Sequence, residues 1–83
     1  MAKINARGAS PVARVKRTFT LPEAGTVVTQ HQVLCSDGRI LQREAFRDPD
    51  GHRHATGYRL LSRTIAIKDS WLVAQLANGW EVE

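Results

Sequence analysis

Apolar and polar residues alternate along much of the first half of the chain. In residues 12–21 (VARVKRTFTL), Ala13, Val15, Phe19 and Leu21 share one face, with Arg17 the exception, and Arg14, Lys16, Thr18 and Thr20 share the other. A period of two with β-branched and aromatic residues predicts a half-buried strand. Pro22-Glu23-Ala24-Gly25 follows as a turn, because proline presets φ and glycine accepts positive φ. Residues 26–36 (TVVTQHQVLCS) and 39–47 (RILQREAFR) then flank Asp37-Gly38. Asp-Gly between two strand-like runs is a strong hairpin signal. Two registers compete. A two-residue loop pairs Cys35 with Ile40 and His31 with Glu44. A three-residue loop, with Gly38 in the left-handed bulge position, pairs Leu34 with Ile40, Val33 with Leu41 and Val28 with Phe46. The second sets apolar residues opposite one another and is the preferred reading. A slip of one residue would undo it.

Asp48-Pro49-Asp50-Gly51 reads as a type I turn leading into residues 52–63 (HRHATGYRLLSR), a third hairpin arm. Gly57 inside that arm hints at a bulge or a close backbone approach. Thr64 to Ile67 extends this strand or starts another. The pattern changes after Lys68. Asp69 or Ser70 serves as an N-cap for the apolar run Trp71 to Ala77, and Gly79 stops the helix. A helix of two to three turns is marginal alone in water, so it must pack on the sheet. Trp80 and Val82 alternate with Glu81 and Glu83 and suggest a short terminal strand. Residues 1–11 (MAKINARGASP) have no periodicity and read as an arm.

The reading is thus an α+β domain over residues 12–83. It has a small antiparallel β meander of three to five strands, one short C-terminal helix packed on it, and a basic N-terminal arm over residues 1–11. A chain of 83 residues holds one domain. At that size folding buries only roughly 60–65% of the unfolded surface, so stability is modest or helped by a partner. Its hydrophobic content of 42% is too high for a disordered chain. The single cysteine, Cys35, excludes an internal disulfide. No apolar run approaches a membrane span and no secretory leader is recognisable, so the expected location is the cytoplasm.

Charge sharpens the picture. Residues 1–17 contain Lys3, Arg7, Arg14, Lys16 and Arg17 and no acid, whereas the remaining residues hold slightly more acids than bases. A basic arm of this kind suits an acidic partner. The candidate zinc ligands are His31, Cys35, His52 and His54. His31 and Cys35, four apart on a strand, stand about 13 Å from one another, too far to share a metal. Cys35 lies in no nucleophile elbow and reads as a small apolar filler. Asp37, Asp48, Asp50 and Asp69 are turn or cap residues, and no carboxylate pair remains for acid–base work. No catalytic residue, metal site, cofactor or small-molecule substrate is therefore expected.

The opening Lys3-Ile4-Asn5-Ala6-Arg7-Gly8-Ala9 resembles the start of short uncharacterised proteins encoded by actinobacteria and their phages. The ending Leu76-Ala77-Asn78-Gly79-Trp80-Glu81-Val82 is similar to the helix-to-strand close of several small phage and bacterial domains. This resemblance implies a phage accessory protein or virion component that acts by binding.

The functional expectation is a small non-enzymatic binding or structural protein, engaging a protein partner or itself. Val33, Leu34, Ile40 and Leu41 place apolar residues on both faces of the hairpin tip, where one face must meet solvent, a second copy or a partner. The alternative is a nucleic-acid-associated protein that contacts the phosphate backbone through Lys3, Arg7, Arg14, Lys16 and Arg17.

Overall fold

A computed structural model describes residues 10–83. Residues 1–9, with Lys3, Arg7 and most of the expected arm, lie outside the described residues. Ser10 and Pro11 are already tied to the domain: the Ser36 backbone N–H donates to the Ser10 carbonyl (2.8 Å), and Pro11 is the first residue of the first strand.

The elements are β1 (Pro11–Thr20), β2 (Val27–Cys35), β3 (Arg39–Arg47), β4 (Arg53–Ala55), β5 (Arg59–Arg63), α1 (Lys68–Ala77) and β6 (Glu81–Val82). They form one antiparallel sheet in the order β4-β3-β2-β1-β6, with β5 also paired to β3. The sheet has six strands rather than three to five, for two reasons. Residues 52–63 do not form one arm but split into β4 and β5, which occupy successive stretches of the same β3 edge. The chain then crosses the sheet through α1 and adds β6 to the far edge of β1. Among the described residues, no helix is long and apolar enough to cross a membrane.

The β2–β3 hairpin takes the register that opposes apolar residues: Leu34 faces Ile40, Val33 faces Leu41 and Val28 faces Phe46. Gly38 sits at φ 89°, and its backbone N–H donates to the Cys35 carbonyl at 2.9 Å, which closes the three-residue loop. Gly57 marks neither a bulge nor a close approach, since nothing lies within 4 Å of where its Cβ would stand. It lies in the gap between β4 and β5. There Thr56 completes the ladder with its side chain, its hydroxyl accepting from the Glu44 backbone N–H at 3.0 Å. The bulge comes later, between the Ile40 and Leu41 pairings of β5.

Helix α1 starts two residues earlier than an Asp69 cap implies and three earlier than a Ser70 cap. Ile67 occupies the N-cap position without a side-chain cap, and the Ser70 hydroxyl donates back to the Ile67 carbonyl at 3.0 Å. Thr64–Ile67 is a loop, held by the Thr64 backbone N–H donating to the Gly38 carbonyl (2.8 Å). The stop is as expected. Trp80 N–H donates to the Gln75 carbonyl and Gly79 N–H to the Leu76 carbonyl, the paired bonds of a Schellman ending. That ending drops Trp80 into the core beside Trp71, where both pack on Val15, Leu34 and Ile40.

Candidate functional site

The pairing registers sort every strand residue onto one of two faces, because side chains alternate and cross-strand partners share a side. The helix-covered face carries Ala13, Val15, Arg17 and Phe19 of β1. Their β2 partners are Leu34, Gln32, Gln30 and Val28, and the β3 partners of those are Ile40, Gln42, Glu44 and Phe46. The helix covers only the rows nearest the hairpin tip. Beyond it comes a polar, internally bonded band, with the apolar row Phe19–Val28–Phe46 at the far end. Arg17 Nε donates to Gln30 Oε1 (2.7 Å), Gln32 Nε2 donates to Gln42 Oε1 (2.7 Å), and Arg59 donates to Glu44 Oε1 (2.8 Å). Gln42 and Gln30 both donate to the other Glu44 oxygen. The Arg17 guanidinium also lies over the Trp80 ring, 4.3 Å from its centroid.

Glu44 therefore gathers this network. The hydrogen bond from Arg59, then those from the Gln42 and Gln30 amides and the Arg59 charge, hold its carboxyl below the usual carboxylate range. A depressed folded-state pKa means that the stabilisation is fully present above the unfolded value, about 4.3, and is lost as pH falls through the folded value. Urea midpoints measured from pH 6 down to pH 2 should fall in the wild type and fall less steeply in Glu44→Gln. Equal slopes would show that Glu44 does not couple folding to pH.

Among the described residues, no helix lies over the opposite face. Near the hairpin tip, Val33 and Cys35 are buried under the half-buried Leu41 and Tyr58. Burial pushes the Cys35 thiol up, with the Asp37 charge adding to it. Next comes the row Lys16–His31–Arg43, then Thr18–Thr29–Ala45–Ala55, then Thr20–Val27–Arg47–Arg53. The central row of small residues floors a groove of about 570 Å³ running across the strands.

The expected site residues divide accordingly. Arg14 and Lys16 stand on the open face, while Arg17 is committed to Gln30 and Trp80 on the other. The apolar hairpin tip is not an exposed contact surface: Val33 (1% exposed), Leu34 (2%) and Ile40 (7%) are buried and Leu41 is half-buried. The reason is that both faces of the tip are closed from within, by Trp71 and Trp80 on one side and by Tyr58 on the other. Phe19, read as a residue of the apolar face, is 41% exposed because α1 does not reach that end of the sheet.

Sequence reasoning passed over two features. One is the cation set Arg43, Arg47 and Arg53 on the face of Arg14 and Lys16. The odd-numbered spacing of β3 and the preferred hairpin register together contain that placement. The other is the outer side of α1 and the loop before it, where Ile65, Ile67, Val73 and Leu76 are exposed. The apolar character of this segment was visible, but which side packs inward depends on Trp71. Among the described residues, no group of three or more His, Cys, Asp or Glu side chains is placed to hold a metal ion. His31 instead bonds Glu83 through Nδ1 at 2.9 Å.

Comparison of the chain with protein-family models, with curated proteins and with solved structures finds no match.

Proposed function

We propose that this is a small non-enzymatic binding or structural protein that works through protein–protein contact, with self-assembly as its simplest form. The observation that carries the reading is the apolar outer surface of α1 and the loop before it. Val73 is 67% exposed and Leu76 51%, and Ile65 and Ile67 in the loop before the helix are also exposed. Scattered exposed apolar residues are ordinary, but a helix with apolar residues on both sides is usually covered on both. Among the described residues, only the Trp71 side is covered by the chain itself. The hairpin tip does not contribute, since its residues are used internally. The resemblance of the two chain ends to short actinobacterial and phage proteins fits an accessory or virion role in the host cytoplasm or particle.

Sedimentation equilibrium over a range of protein concentrations tests the reading. The wild type should show a mass above the 9.2 kDa monomer that rises with concentration. Val73→Lys with Leu76→Lys should return it to monomer without loss of helix signal, because neither side chain is buried. A wild type that stays monomeric at every concentration sinks self-assembly.

A further inference from the structure

The chain uses its cations unevenly. Arg59 pairs with Glu44, Arg39 pairs with Asp37, and Arg17 is held by Gln30 and the Trp80 ring. On the open face, Lys16, Arg43, Arg47 and Arg53 form no ion pair with any described residue. Two of them are placed where the fold gains nothing. Arg47 on β3 is directly opposite Arg53 on β4, both exposed, and like charges in opposed positions destabilise a sheet. The acids Glu81 and Glu83 lie at the edge away from these two arginines, where Glu81 of β6 is directly opposite Lys16 and Glu83 bonds His31.

The geometry between the charges is that of a channel. The Lys16–His31–Arg43 row and the Val27–Arg47–Arg53 row flank the row of Thr18, Thr29, Ala45 and Ala55. Flanking rows are separated by four residues along each strand, about 13 Å. The floor is of methyl and hydroxyl groups, with the Thr18 and Thr29 hydroxyls 3.1 Å apart. The stacked rings of Phe46 and His54, with centroids 4.7 Å apart, belong to the opposite face, in the row of Phe19 and Val28.

We propose that this groove across the open face of the sheet is a nucleic-acid-binding surface. In it Lys16, Arg43, Arg47 and Arg53 hold successive phosphates of the phosphodiester backbone. The argument is charge complementarity: Arg47 and Arg53 on one side of the recess, and Lys16 and Arg43 on the other, form no ion pair with any described residue, and the lining of the recess holds no carboxylate. Threonine hydroxyls on the floor are donors suited to phosphate and sugar oxygens. An acidic peptide fits less well. The groove crosses the interior of the sheet, where backbone groups are already paired, so an extended peptide would find no ladder to join. A helical peptide would find small residues in place of the deep apolar floor that such helices need. This surface is separate from α1 and does not depend on the self-assembly reading.

The test is a fluorescence-anisotropy titration of the full chain against a labelled single-stranded oligonucleotide and a labelled duplex at several salt concentrations. About three to four phosphate contacts predict a slope of log K against log salt of roughly −2 to −3 for the single strand. The double variant Arg47→Ala, Arg53→Ala should weaken binding about ten-fold or more and make that slope shallower by about 1.4. Its urea midpoint should match or exceed that of the wild type, since a repulsion is removed. Arg63→Ala with Lys68→Ala carries the same change of net charge outside the groove and should retain binding. Groove-dependent binding that is tighter for the duplex keeps the phosphate site and changes only its source. Equal losses in the two double variants would reduce the effect to net charge and overturn the proposal. So would a loss on Lys3→Ala with Arg7→Ala that the groove variant lacks, which would move the contact to the N-terminal residues. Equal or tighter binding to poly-glutamate or to anionic lipid vesicles, or no binding to either nucleic acid at low salt, would also overturn it.

Discussion

Trp71→Ala is expected to destabilise the domain by about 3–5 kcal/mol, the range for deleting a buried aromatic side chain. Trp71 is the one buried residue of α1. It joins the helix to Val15, Leu34 and Ile40 of three different strands and to Trp80 beyond the helix end. Without it α1 keeps only the half-buried Leu72 against the sheet. A ten-residue helix does not persist in water on its own propensity, so the loss of one anchor releases the whole element. A domain of this length has a total stability of roughly 4–12 kcal/mol, so the substitution removes a large share of it. Urea unfolding followed by the fluorescence of the remaining Trp80 should show a midpoint far below that of the wild type. A midpoint shifted by no more than that of an exposed control such as Ala74→Ser would mean that the sheet holds its form without the helix.

Gly38→Ala is the second large effect, expected at about 2–5 kcal/mol from two sources. The residue lies at φ 89°, where an L side chain is strained. A Cβ there would also press far inside van der Waals contact on the Thr64 carbonyl oxygen. That oxygen belongs to backbone and cannot swing aside as a side chain can. Thr64 is in turn fixed by its N–H bond to the Gly38 carbonyl. Moving it would pull on the loop that carries the chain from β5 to α1. Gly51→Ala is the control. Its φ is 91°, yet nothing lies within 4 Å of its Cβ position. It should carry the strain alone, about 1 kcal/mol. Comparing the two urea midpoints therefore separates the clash from the backbone strain. Equal shifts would show that the Thr64 loop yields easily.

These two positions differ in how far they can be read from sequence. Gly38 follows an aspartate between two strand-like runs, and its left-handed bulge role follows from matching Leu34 to Ile40. The contact with Thr64 does not. It joins residues distant in the chain and arises only when β5 turns back along β3. Trp71 is similar. Its helix is legible from the run of Trp71 to Ala77 and the Gly79 stop. Its start is not, because Ile67 is fixed by the loop before it and not by a capping side chain.

The hairpin tip shows the same division in a functional residue set. Alternation correctly assigns Val33 and Leu34 to opposite faces, but whether either face stays open is a question of cover. Tyr58 closes one face and the two tryptophans the other, through contacts between elements far apart in sequence. Arg17 was legible as the exception on an apolar face. Its partners, Gln30 and Trp80, belong to β2 and to the residue after the helix stop, and neither pairing has a local signal.

What the sequence determined by itself is local and periodic: the strands of alternating residues, the Asp37-Gly38 hairpin with a preferred but not fixed register, the C-terminal helix and its stop. These depend on backbone preferences and on burial patterns within about ten residues. Only the tertiary structure decided the split of residues 53–63 into two strands on one edge and the return of β6 to β1. It also decided which apolar residues remain exposed and which cations remain unpaired. The physical reason is that burial and charge neutralisation depend on which distant element arrives. Pairing rules constrain neighbouring strands, but the crossing of α1 over one face is what leaves the other face open, with Lys16, Arg43, Arg47 and Arg53 upon it.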